Sequence, residues 1–386
     1  MSFDKIVNRR GTYCTQWDYV KDRFGESDLL PFTISDTDFE VPEIIKLKLM
    51  ERVEHGVFGY TRWQHSDFEN SVSKWFLERF GHQLVEKSLV YSPSVMFSIA
   101  LLIQLVSDEG DKIVIQTPAY DAFYEVIKSN NRELVENPLH YQSGTYTIDW
   151  TDLEIKLSHP DTKILLFCSP HNPTGRVWTN EELEKLVNLC QKYRVFLISD
   201  EIHMDIVARG FHHRPLLEYA SKDVALVTSG SKTFNFPGLI FSYGIIPDPM
   251  LRERFLHALK KTYGLSSAST MGLVATMTAY NQCSDWVDQL NDYIDENRRY
   301  VKEFLTSHLP AVKVVKSEAT YLMWLDIRCL PFDPAEIQRR LVKIGKLAIM
   351  SGKMYGADGQ YFLRLNIGCP RSKLEEALSR MLQALS

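Results

Sequence analysis

At 386 residues, with 45% apolar and 24% charged side chains, the chain has ordinary globular composition and suits one large α/β domain with a smaller unit attached. A formal net charge of −5 and the lack of a long basic block argue against nucleic-acid binding, because phosphate contacts need clustered Lys and Arg. Six cysteines without a C-x-x-C pair read as reduced thiols, MSFDKIVNRRG lacks an apolar signal region, and the longest apolar stretch, 95–106, is too short to span a bilayer, so a cytoplasmic protein without membrane contact is expected.

In chain order, the stretch 95–106 reads as a buried helix that begins at YSPS. The apolar runs KIVIQ (112–116) and KILLFC (163–168) follow. TNEELEKLVNLCQKY (179–193) is the clearest helix, with capping-box spacing between Thr179 and Glu182 and with Leu183, Leu186, Val187 and Cys190 on one face. VFLIS (195–199), VALVT (224–228) and SYGII (242–246) continue the series of runs. Each is short, near-continuous and bounded by turn residues, the pattern of strands buried on both faces of a parallel sheet. RERFLHALKK (252–261), the most basic stretch, reads as a solvated helix face.

The last hundred residues differ. A long amphipathic helix over 286–309 is followed by short strands near 312–316, 320–327 and 362–367, and by a closing helix over 373–385. The expected fold is α/β: a mostly parallel central sheet flanked by helices in residues 46–285, and a smaller α+β domain in 286–386 that the N-terminal segment 1–45 joins.

Four polar residues fall at the carboxyl ends of four predicted strands. KIVIQ runs into TPAY and Tyr120, KILLFC into SPHNPTG and Asn172, VFLIS into Asp200, and VALVT into SGSK and Lys232. Ligands bind in the crevice outside such strand ends. Alone, Asp200 reads as a helix cap, Asn172 as part of a turn, Tyr120 as packing and Lys232 as a loop residue facing water. The recurrence of one location four times reads as a site.

The usual motifs for other ligands are missing. There is no P-loop, G-x-G-x-x-G, HExxH or G-x-S-x-G, and His203, His212 and His213 lack zinc spacing, so no metal is expected. Pyridoxal 5'-phosphate fits the inventory. Its aldehyde needs a lysine, its ring nitrogen a carboxylate, its phenolic oxygen a donor such as Asn172, and its ring an aromatic face. Its phosphate needs hydroxyls and helix N-terminal amides, for which Ser229, Ser94 and Val95 are placed. A lysine at its ordinary pKa of ~10.4 is a poor nucleophile; desolvation beside a cationic ring makes it less basic.

On TPAY, SPHNPTG, SDEIH and SGSKTFN the chain resembles fold-type I pyridoxal-phosphate enzymes, with an aminotransferase-like fold. CTQWDYVKDRFG (14–25), LLPFTISDTDF (29–39), HGVFGYTRW (55–63), SDEIHMD (199–205) and RLNIGCPRSKLEEAL (364–378) resemble the MalY/PatB-type cystathionine β-lyase branch. The resemblance implies that Lys232 carries the cofactor as a Schiff base and acts as catalytic base, Asp200 pairs with the ring nitrogen, Asn172 bonds the phenolic oxygen and Tyr120 stacks on the ring. Ser229 and the Ser94–Val95 amides would hold the phosphate, with Tyr60 reaching the phosphate of a neighbouring subunit in a homodimer. Arg364 would bind the substrate α-carboxylate; its rival reading is a buried structural ion pair.

Three positions depart from related patterns. Many aminotransferases have an arginine where this chain has Ile240, and often a tyrosine where it has His203, whose role stays open between a bond near the ring oxygen and packing. The branch usually reads D-M-D-F where this chain has Asp36, Thr37, Asp38 and Phe39. The implied activity is carbon–sulfur β-elimination on L-cystathionine and related cysteine S-conjugates. An aminotransferase on the same scaffold is the second reading, and a regulator that binds a transcription activator is a third.

Overall fold

The computed structural model describes residues 3–386. Its larger sheet has seven strands in the order Leu89–Ser92, Ser242–Ile245, Val224–Thr228, Phe196–Asp200, Thr162–Cys168, Lys112–Thr117 and Glu133–Pro138. The Val224–Thr228 strand is buried throughout, as its continuous apolar run requires. The helix Val95–Val106 packs across several of these strands, and Ser94 caps it by accepting from the Phe97 amide at 3.1 Å. The expected capping box is present on Asn180–Tyr193, where the Thr179 hydroxyl accepts from the Glu182 amide at 3.2 Å and the Glu182 carboxylate from the Thr179 amide at 2.8 Å.

One strand runs against the expected direction. Ser242–Ile245 is antiparallel to both of its neighbours. The chain returns from Val224–Thr228 through residues 229–241, which hold a single 3-10 turn, Pro237–Leu239, and no crossover helix. A return without a crossover places consecutive strands antiparallel. Leu89–Ser92 and Glu133–Pro138 were not expected as strands. The second is an edge strand whose Glu133, Glu136 and Asn137 do not alternate with apolar residues in the usual way.

The second sheet has five strands in the order Leu30–Phe32, Leu347–Ser351, Phe362–Asn366, Leu322–Asp326 and Lys313–Val314. Leu30–Phe32 pairs parallel to Leu347–Ser351; the remaining pairings are antiparallel. Helices Pro334–Lys343 and Arg371–Leu385 pack on Leu347–Ser351, and Ser284–His308 packs on Arg371–Leu385. No helix among the described residues is long and apolar enough to cross a membrane.

Residues 33–38 run between the two sheets and are held by side chains. The Gln16 amide oxygen accepts from the amides of Thr33 at 3.1 Å and Ile34 at 3.2 Å. Arg9 bonds Asp36 at 2.6 Å, Asp38 at 2.9 Å and the Thr37 carbonyl at 2.9 Å, and Lys373 pairs with Asp38 at 2.6 Å. Asn235 accepts from the Thr37 amide at 3.1 Å and donates to the Thr37 carbonyl at 2.9 Å. Thr37 is buried against Gly368, where a Cβ would meet its methyl at 2.7 Å.

Candidate active site

The parallel register brings Cys168 beside Asp200 and Asp200 beside Val227, so the carboxyl ends of these strands align. They open onto a cavity of about 200 Å³ lined by Tyr120, Asn172, Asp200, His203, Ser229 and Lys232, with Ser94 and Val95 on its wall. Residues from four strand ends and one helix start therefore converge.

The turn that carries Lys232 follows Val224–Thr228 and is built from small residues for a packing reason. A Cβ on Gly230 would lie 3.2 Å from the Phe236 ring and 3.3 Å from that of Phe234. Lys232 Nζ donates to the Ser35 carbonyl at 2.7 Å, and the Tyr321 hydroxyl donates to the same oxygen at 2.9 Å. Burial pushes the Lys232 amine down to about 8; Asp36 opposes this, Arg364 adds to it, and Asp200 opposes it.

Asp200 is buried, and its Oδ1 accepts from the Ile202 amide at 3.1 Å. A turn follows it, not a helix, so it is not a helix cap. Burial pushes its carboxyl up to about 7, against the lowering effect of the Ile202 amide and of Lys232.

Arg364 is buried on the central strand of the five-stranded sheet. Its Nη1 donates to Asn172 Oδ1 at 3.2 Å and its Nη2 to the Thr33 carbonyl at 2.8 Å, and its guanidinium stands 5.0 Å over the Tyr355 ring. Its Nε is buried without a partner, and among the described residues no carboxylate lies within ion-pair distance of it. A structural ion pair therefore does not account for Arg364. A buried guanidinium without an anion has capacity left for a carboxylate ligand.

His203 is buried with Nδ1 unpartnered, and its ring meets Tyr321 edge-on at 6.2 Å. Burial lowers its imidazole to about 3, with Lys232 and Arg364 adding to the effect, so it is neutral. Tyr120 precedes helix Asp121–Ser129 and is partly buried. Ser94 and Ser229 sit at the cavity wall with their hydroxyls engaged. Ser94 caps its helix, and Ser229 Oγ donates to the Phe241 carbonyl at 2.7 Å and accepts from Ser231 at 3.1 Å. The Val95 and Met96 amides open the helix and have no intrahelical acceptor. Tyr60 is fully exposed and lies outside the cavity. Ile240 lines the cavity in a left-handed conformation, φ 52°.

The sequence did not announce Ser35, Tyr321, Cys168 or Ile202. Ser35 acts through a backbone carbonyl, which no side-chain pattern reveals, and Tyr321 reads as one more residue of an apolar strand.

The donor set fits pyridoxal phosphate. An amine of lowered basicity and a carboxylate lacking a cation share the cavity, a neutral imidazole has a free nitrogen, and unsatisfied helix amides stand at the wall.

A fold and site of this kind belong to the aminotransferase class I and II family, whose model matches residues 27–381, and the chain is a member of it. Within the family it is 45% identical to protein MalY of Escherichia coli (strain K12) over 383 residues, covering 99% of this chain and 98% of MalY. It is 38% identical to cystathionine β-lyase PatB of Bacillus subtilis (strain 168), covering 100% of both. It also matches the solved pyridoxal-phosphate-bound C–S lyase of Staphylococcus hominis with a TM-score of 0.92 and 30% identity, over 100% of this chain and 98% of that one.

Proposed function

We propose that this protein is a pyridoxal-phosphate-dependent carbon–sulfur β-lyase that cleaves L-cystathionine and related cysteine S-conjugates to a thiol, pyruvate and ammonia. Arg364 carries the amino-acid part of this reading: a buried guanidinium without a counter-ion, beside Asn172 and the cavity of Lys232 and Asp200. Similarity to PatB and to the S. hominis C–S lyase supports it.

Arg364 holds the substrate α-carboxylate through its fork of donors. Lys232 is the residue that would hold the cofactor. Its free amine would take the α-proton as general base, a role suited by a pKa that burial lowers to about 8. Asp200 as carboxylate would keep a proton on the cofactor ring nitrogen, Asn172 would donate to the phenolic oxygen, with His203 near, and Tyr120 would cover the ring. Val95, Ser94 and Ser229 would hold the phosphate. Bound there, pyridoxal phosphate supplies an electron sink conjugated to the substrate α-carbon, so that the β-thiolate can leave.

The assembly in this reading is a homodimer. Helix Glu43–His55 exposes Leu47, Met50 and Val53, and Val57 and Phe58 continue the apolar face up to Tyr60, which reaches the phosphate site of a second copy. The chain divides as 46–285 and 286–386, with 1–45 joining the smaller unit; the edge pairing of Leu30–Phe32 supports that division. Six unpaired cysteines support a cytoplasmic location. A transcription activator as partner is a role that does not need Lys232, so the Lys232→Ala protein should still retain such an activator; loss of binding would count against it.

The test is pyruvate release from L-cystathionine by cofactor-loaded protein, with and without an α-keto acid. Pyruvate without the acceptor supports the lyase. Amino transfer that occurs only with the acceptor would instead make it an aminotransferase.

A further inference from the structure

Arg23 lies on the short helix Val20–Phe24, which is anchored where Val20 packs with Leu29, Val342 and Ala348. Its guanidinium is exposed, and its one hydrogen bond runs from Nη1 to the Met350 thioether at 3.3 Å. A thioether is a weak acceptor, and among the described residues Arg23 has no ion pair. Met350 is the cross-strand partner of Arg364, so the two side chains share a face of the five-stranded sheet. Arg364 in turn stands over Tyr355. Both guanidinium groups act electrostatically on the same two phenols, Tyr120 and Tyr355. Asp121 faces those phenols from the start of its helix, and no ion pair joins it to Arg23.

Two arginines without an ion pair thus lie on one path, Arg364 buried over Tyr355 and Arg23 exposed behind Met350, the cross-strand partner of Arg364. We propose that Arg23 binds a distal carboxylate on the substrate, so that the site prefers cysteine S-conjugates whose sulfur substituent ends in a carboxylate, as the homocysteine half of cystathionine does. This rests on the lyase reading, which supplies the amino-acid end of the substrate at Arg364 and Lys232. With that end fixed, the β-substituent leaves the cavity past the two phenols and meets Arg23.

The experiment compares L-cystathionine with S-methyl-L-cysteine in the wild-type holoenzyme, Arg23→Gln and Arg23→Lys. Alongside, calorimetry measures suberate, whose carboxylates have the same six-atom separation as those of cystathionine, against octanoate, which lacks the second carboxylate. In Arg23→Gln the KM for cystathionine is expected to rise roughly two- to fivefold, the scale of an exposed ion pair, with kcat and the S-methylcysteine parameters kept. Arg23→Lys should recover part of the loss, and the preference for suberate over octanoate should vanish in Arg23→Gln. Equal losses on both amino acids, or a suberate preference unchanged in Arg23→Gln, would overturn the proposal. If wild type turns over neither amino acid, the lyase reading fails, and the suberate comparison still decides the role of Arg23.

Discussion

Burial acts on Lys232 and Asp200 in opposite directions and favours the neutral form of each. In Asp200 this has a consequence for stability without the cofactor. Its folded value of about 7 lies above the unfolded ~3.9, so the folded state binds the extra proton between those values. The resulting stability is fully present below the unfolded value and is lost as pH rises through about 7. Urea unfolding of the cofactor-free protein should therefore show wild type losing stability between pH 5 and 8 relative to Asp200→Asn, by on the order of 3 kcal/mol or less. Arg364→Met separates ligand binding from folding. A structural ion pair would cost ~3–5 kcal/mol when broken, whereas loss of a guanidinium without an anion leaves only the Asn172 and Thr33 acceptors unmet, about 1–3 kcal/mol. Thermal unfolding should show that smaller loss while KM for the amino-acid substrate rises about a hundredfold, the cost of removing one partner of a buried charge pair. At this scale the sequence was most legible where function uses side chains at strand ends, as with Tyr120, Asn172, Asp200 and Lys232. It was silent on Ser35, whose carbonyl positions both Lys232 and Tyr321.

Elements were legible where one local rule governs them. The helix Asn180–Tyr193 carries its start signal in Thr179 and Glu182, and both bonds form. Thr179→Ala should cost about 1 kcal/mol in denaturant unfolding and leave turnover unchanged, because the cap is not part of the cavity wall. Direction was harder to read than existence. The run SYGII has the apolar character of its parallel neighbours, and only the lack of a helix in residues 229–241 turns it antiparallel. Glu133–Pro138 is not legible in the sequence because an edge strand has less apolar surface to bury, so it lacks the signature of the central strands.

Across the whole molecule, the site is an assembly of distant parts. Lys232 comes from the seven-stranded sheet, Arg364 from the five-stranded one, and residues 33–38 run between them, tied by Arg9, Gln16 and Asn235. No local pattern in the sequence encodes that arrangement. The apolar face of Leu47, Met50 and Val53 belongs to the same scale. Met50→Glu should shift the protein toward monomer in sedimentation and lower its cofactor affinity, since Tyr60 would no longer reach a neighbouring site. A monomeric wild type would refute the shared site. The claim that the strand-end cavity is a cofactor site with Lys232 as its covalent anchor is tested most directly on the intact protein. Cofactor-loaded protein is reduced with borohydride, digested and mapped by mass spectrometry. The pyridoxyl group is expected on the peptide that contains Lys232; an unmodified Lys232, or the label on another lysine, would contradict that anchor.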